Sequence, residues 1–389
     1  MRLCGFTEKH FDSIRRSGVQ GAFEGMLRKA VFLVFVVAVI VVAPGCSSSS
    51  SSQTAYVTLP GSNRVIGLRV DNSSGNLSTI TGSPFAAGAS PTSVVVHPSG
   101  NFAYVANSGE ADVSLFKINP SSGALSEVMP RTATGTGPAA LATDSGGNYL
   151  FVANTISNSI SVFSVNSGTG ALSQAPGSPL ASDSPVTLKV SPSGKFLYVG
   201  NANTATISGF SIGSGGALSV IAGSPFAVVT APSSLALTTS GQFLYATLPT
   251  GYLSVFTVAS NTGALTPIPG SPFSNTSTTI TNLLGTNPFA AAVDLSGKYL
   301  YVVNQGSNNV SAYTLDAATG SPTLITGSPY ATGSAPSFIA LDTTGKFVYV
   351  GNQTSRSITG FLITSSSGTL TNTTTFTINT APGSMVILK

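Results

Sequence analysis

The chain has 389 residues, with 16 Lys and Arg against 12 Asp and Glu, so that only 7% are charged where an ordinary soluble domain has roughly 25%. Such a chain offers no basic cluster to neutralise a phosphate backbone and none of the net charge that keeps a disordered chain expanded, which excludes nucleic acid as a partner and disorder as a class. The formal +4 is a property of the N-terminus, because six basic and three acidic residues precede Cys46 and ten face nine beyond it.

Residues 30–43 (AVFLVFVVAVIVVA) form an unbroken apolar run of 14, preceded by Arg28 and Lys29 and followed by Pro44, Gly45 and Cys46. A bilayer span needs about 20 apolar residues and a signal-peptide core about 7–15, so the run is predicted to be a signal peptide. The segment Ala43-Pro44-Gly45-Cys46 resembles the lipobox of bacterial lipoproteins, with Ala43 where Leu is commonest. That resemblance implies lipidation of Cys46 and export, the protein being held to the cell envelope on the periplasmic or outer-membrane side with the lipid as its only membrane contact. An uncleaved anchor would leave the domain on the same side. Met26 is a second possible start, which would remove Cys4 and His10.

Six serines, residues 47–52, follow Cys46, too polar to pack and therefore a flexible tether. The expected organisation is a leader over 1–45, a lipidated cysteine and tether over 46–53, and a folded domain over 54–389. No cysteine follows Cys46, so the domain is expected to contain no disulfide, zinc–thiolate site or Cys nucleophile.

From Thr54 one unit recurs: a proline, an apolar strand, a turn ending in Gly, an aromatic strand ending near Asn, a second aromatic strand, and a Gly-Ala-Leu turn. The opening prolines are Pro91, Pro138, Pro185, Pro232, Pro288, Pro336 and Pro382, spaced 47, 47, 47, 56, 48 and 46 residues apart. The aromatic positions Tyr56, Tyr104, Phe151, Tyr198, Tyr245, Tyr301 and Tyr349 keep the same step. Seven units of 48 residues fill the domain, the size of a four-stranded propeller blade. With 42 Gly, 23 Pro and no helical periodicity, the expected fold is all-β, a seven-bladed β-propeller of four-stranded antiparallel blades. The chain enters on a second strand at Ala55 and ends on a first strand after Pro382, so the C-terminal strand is expected to complete the first blade and close the ring, hiding both edges.

The motifs at 104–107 (YVAN), 151–154 (FVAN), 198–201 and 349–352 (YVGN) and 301–304 (YVVN) resemble the YVTN-type propeller repeats. Together with the SGK/SGN, TGAL-like and GSPF segments they are similar to the seven-bladed lactonase-like family that includes the 6-phosphogluconolactonases. That resemblance implies a lactone hydrolase whose inner strand carries Pro-Arg-His and whose following strand ends in Asn-Glu. The nearest match, residues 288–305, has Phe289 and Ala290 for Arg-His and Gln305 for Glu.

Blade geometry sorts the charges by rim. Position six after each proline reads His97, Asp144, Ser191, Thr238, Asp294 and Asp342, each opening a tight turn whose backbone a short polar side chain can bond. His97, the one histidine after the leader, is therefore expected in a turn, which removes the base of a Ser-His-Asp esterase. Lys195, Lys298 and Lys346 follow these turns, and Asp71 and Asp316 open turns on the same rim. The channel-entrance rim is assigned Arg64, Glu110, Asp112 and Arg356 in second-to-third connections and Arg131 and Asp183 between blades. Lys189 stands in an inner-strand series otherwise reading Val95, Ala142, Ala236, Ala292, Ala340 and Val386, and is expected to point into the channel. Asn107, Asn154, Asn201, Asn304 and Asn352 either ring the entrance or cap their own loops. The insertion at 274–287 is a further candidate binding loop.

These residues favour a ligand-binding or interaction scaffold presenting its entrance to a glycan, small molecule or protein, with lactone hydrolysis as the alternative. Nothing in the residues implies a cofactor or metal site, and the expected state is a monomer.

Overall fold

The computed structural model describes residues 52–274 and 285–388. Cys46, the apolar run, the serines before Ser52 and the middle of the 274–287 insertion lie outside them. The described chain is all strand and turn apart from two three-residue 3₁₀ turns, and its strands form seven antiparallel sheets. Numbered in chain order, blade 1 begins at Ser52, and blades 2 to 7 span residues 91–133, 138–181, 185–227, 234–274, 288–331 and 336–377.

Ring closure is as the sequence predicts. Blade 1 takes its inner strand from the C-terminus: Met385–Leu388 pairs with the strand Ser52–Leu59, from Thr54 opposite Leu388 to Val57 opposite Met385. One boundary differs. Ser52 and Gln53, read as tether, belong to that first strand, and Gln53 is buried because its side chain bridges the seam, donating to Asp342 of blade 7 at 3.0 Å and accepting from the Thr343 amide at 2.8 Å.

Each apolar cluster straddles two blades, so a blade buries both faces only through its neighbours. Tyr56 and Val65 of blade 1 pack with Val94 and Val105 of blade 2, and Leu59 and Leu68 pack with Phe347 and Tyr349 across the seam. The aromatic at the centre of the second strand adds a polar staple. Its hydroxyl donates to the carbonyl of the third-to-fourth-turn glycine of the next blade, Tyr104 to Gly170 at 2.8 Å, Tyr245 to Gly320 at 2.8 Å, and across the seam Tyr349 to Gly75 at 2.8 Å. The glycine is required twice over: Gly170 has φ +76°, and a Cβ there would lie 2.7 Å from the Phe102 ring.

The fourth strand is broken in five blades, and the Gly-Ser-Pro segments make the break. In each, the serine hydroxyl replaces the missing strand partner by accepting from a third-strand amide, as Ser83 does from Gly67 at 2.8 Å and Ser178 from Val162 at 2.8 Å. Blades 2 and 7 instead run unbroken over Leu125–Ala133 and Leu370–Thr377.

Candidate functional site

The inner strands enclose a channel whose mouth opens into a cavity of about 330 Å³. Its wall is uncharged: the hydroxyls of Thr92, Ser93, Ser233, Ser234, Ser337 and Ser384 alternate with small apolar residues, and Phe289 and Phe338 form one aromatic side. Phe338 fits because Gly351 lies behind it; a Cβ there would sit 1.9 Å from its ring. Three of the serines also latch neighbouring blades. Ser384, Ser93 and Ser234 accept from the amides of Val94, Leu141 and Ala291 at 3.0, 3.1 and 3.4 Å. A hydroxyl that accepts in this way still has its own proton to give, so three O–H donors remain for a ligand oxygen in the lumen.

Lys189 breaks the neutral series. It occupies in blade 4 the place of Val95 in blade 2; Val95 lines the cavity, whereas no residue of Pro185–Val190 does. Its side chain is exposed, and the protein packed around the inner strand lowers the pKa of the ammonium by desolvation. No hydrogen bond or ion pair reaches it among the described residues.

The other sequence candidates divide. The five asparagines do not ring the entrance; all are buried, because each amide nitrogen donates to side chains five and seven residues on, closing the second-to-third turn. Asn107 reaches Asp112 at 2.7 Å and Ser114 at 2.9 Å, and Asn304 reaches Asn309 and Ser311 at 2.8 and 2.9 Å. Arg131 is not in a connection between blades but in the outer strand of blade 2, where it clamps Glu110 at 2.6 Å and Glu127 at 2.7 Å. Glu127, which the sequence reading passed over, also accepts from Ser114 at 2.6 Å, so Glu110, Asp112, Glu127 and Arg131 form one network on blade 2. Burial there raises the pKa of Asp112, against the Asn107 hydrogen bond and the Arg131 charge. Asp183 is exposed between blades 3 and 4. Arg356 donates to the Asn379 carbonyl at 3.5 Å, and Arg64 lines a separate groove between blades 7 and 1.

The turn residues lie where position six puts them. Asp144, Asp294 and Asp342 each accept from the amide five residues on at 2.7 Å, and His97 is buried with Nε2 2.9 Å from the Gly147 carbonyl and Nδ1 2.8 Å from Ser99 Oγ. Gln305 is taken up locally, accepting from the Asn287 amide nitrogen at 2.9 Å. Among the described residues no cluster of His, Cys, Asp and Glu is arranged to hold a metal ion.

Comparison with known proteins places this geometry. The seven-bladed β-propeller lactonase family matches residues 46–189, 175–280 and 270–387. Among solved structures, two proteins provisionally named 6-phosphogluconolactonases are similar. That of Bacteroides uniformis has TM-score 0.75 and 17% identity over 87% of this chain and 99% of its own. That of Bacteroides fragilis has TM-score 0.74 and 21% identity over 88% and 99%. The periplasmic gluconolactonase of Pseudomonas aeruginosa has TM-score 0.74 and 20% identity over 87% and 99%. No curated protein matches the sequence. At these identities the solved structures share the fold, while the family match spans the whole ring, and the chain belongs to the lactonase family of seven-bladed β-propellers.

Proposed function

We propose that the protein is a lactone hydrolase acting on an uncharged, unphosphorylated lactone at the channel mouth. The observation that carries this reading is Lys189, an amine of lowered pKa on the inner strand of blade 4 with no hydrogen bond or ion pair among the described residues, in a ring whose other inner strands present serine hydroxyls. Its neutral form accepts a proton from the attacking water, the carbonyl oxygen gathers charge against the serine O–H groups, and as the C–O ring bond breaks the ring oxygen takes that proton back from the ammonium and leaves as a hydroxyl. Phe289 and Ala290 stand where the family resemblance implies Arg and His, so a phosphate would find no cation at that strand. Turnover of γ- and δ-lactones by the full chain tests this, with 6-phosphogluconolactone as the contrast. Neutral lactones should be hydrolysed well above background and the phosphorylated one not preferred; hydrolysis of none, or preference for the phosphate ester, would sink the proposal. The same two substitutions and Gln305 favour a second reading, a receptor that binds a neutral ligand without turning it over, and tight lactone binding without hydrolysis would select it.

The address proposed with this activity is the cell envelope outside the cytoplasm, through a lipid on Cys46, supported by the 14-residue apolar run before it. Metabolic labelling with an alkyne fatty acid should mark the wild type and not Cys46→Ala. Equal labelling of the two would remove the anchor.

A further inference from the structure

The five asparagine-centred turns share one composition rule, and blades 1 and 5 depart from it, blade 5 with Leu248 and Tyr252 and blade 1 with a charged residue in the turn. In blades 2, 3, 4, 6 and 7 the amide nitrogen of the strand-ending Asn donates to polar side chains five and seven positions later. The same three positions in blade 1 are Leu59, Arg64 and Ile66. The polar cap is thus replaced by two apolar side chains flanking a guanidinium.

A groove of about 340 Å³ opens at that place, between blade 1 and the outer strand of blade 7. Leu59, Ile66, Phe376 and Ile378, which pack together as one apolar cluster, give its apolar lining, and Arg64 stands among the uncharged polar residues Ser62, Thr79, Thr377, Asn379 and Thr380. Arg64 is exposed and one of its terminal nitrogens donates to the Pro84 carbonyl at 3.2 Å, which leaves the remaining N–H groups of the fork for a ligand. The Thr380 hydroxyl oxygen is buried and has no hydrogen-bond partner. No carboxylate lines the groove, so its charge is that of Arg64 alone.

From this juxtaposition we infer a ligand site distinct from the channel, taking a carboxylate that carries an apolar chain. The carboxylate pairs with the planar Arg64 fork, for which that geometry is suited, and the chain lies along the apolar lining of Leu59, Ile66, Phe376 and Ile378. A groove of this volume and mixed lining falls within the range of small-molecule sites. The inference does not depend on what the channel does.

Octanoate is the probe, titrated into the full chain and followed by calorimetry, with 1-octanol as the uncharged counterpart. Octanoate should bind with one site per chain and octanol at least tenfold more weakly. Arg64→Gln, an exposed change expected to leave the melting temperature of the unliganded protein as it was, should weaken octanoate at least tenfold and leave octanol where it stood. The triple change Leu59→Asn, Arg64→Ser and Ile66→Ser, which installs the pattern of the five asparagine-centred turns, should abolish both. Octanoate binding unchanged in Arg64→Gln, equal affinity for octanol, or no saturable binding of octanoate would each overturn the proposal.

Discussion

Deleting residues 382–389 is expected to abolish cooperative folding and to leave an aggregating chain. The strand removed carries Met385, Val386, Ile387 and Leu388, all partly buried, and a fully buried aliphatic side chain is worth about 1.5–3 kcal/mol. Four partial burials therefore amount to several kcal/mol, a large share of a net stability of about 5–15 kcal/mol. The deletion also takes the Ser384 contacts to Thr58 and to the Val94 amide, and bares the edge of Ser52–Leu59 as a template for other chains. Tyr349→Phe provides the comparison at the same seam. It removes the hydroxyl that reaches Gly75 and keeps the ring, so it should cost only about 0.5–1.5 kcal/mol, and Phe151 shows that one blade already does without that hydroxyl. Thermal unfolding and light scattering of the two variants measure both effects. A deletion variant that stays monomeric with an unchanged melting temperature would show that the C-terminal strand does not hold the ring.

The fold was legible because its cause is local and repeated. A buried aromatic, a glycine at positive φ and a polar residue opening each tight turn recur at one period, and seven copies average out the departures of any one. Even the closing strand could be read, since each terminus lacks what the other has. The candidate site was less legible for the opposite reason. Rim charges do not repeat, so nothing in the sequence says which of them meet. The pairing of Arg131 with Glu127 depends on an outer strand that runs on to Ala133, whereas the sequence alone puts Arg131 in a connection between blades. The asparagines left two readings open, a ligand ring or a cap on their own loops, and it is the cap that the hydrogen bonds show, regular repetition being what a structural cap produces. Departures from the repeat point better to function, as Lys189 in the inner strand and Leu59–Arg64–Ile66 in blade 1 do.

Lys189→Ala should eliminate lactone turnover and at the same time stabilise the fold, a combination that a merely structural lysine would not give. Alanine already occupies the equivalent place in blades 3, 5, 6 and 7, so the substitution makes no demand on the backbone. Removing a general base typically costs about 10²–10⁴ in rate. The stability effect follows from desolvation, which lowers the lysine pKa in the folded state while the unfolded chain keeps a value of about 10.4. Between the two values the unfolded state binds more protons, so wild-type stability rises with pH through that window; below it the penalty of the enclosed charge is felt in full. The gain from Lys189→Ala should therefore be present at neutral pH and fade as the pH approaches about 10.4. Turnover by the wild type should climb over the same window as the amine loses its proton. Denaturant unfolding and initial rates on a neutral lactone, each followed from pH 6 to 10, check both curves. Undiminished turnover in Lys189→Ala would remove Lys189 from the reaction, and a stability difference independent of pH would show that its ammonium is not desolvated in the channel.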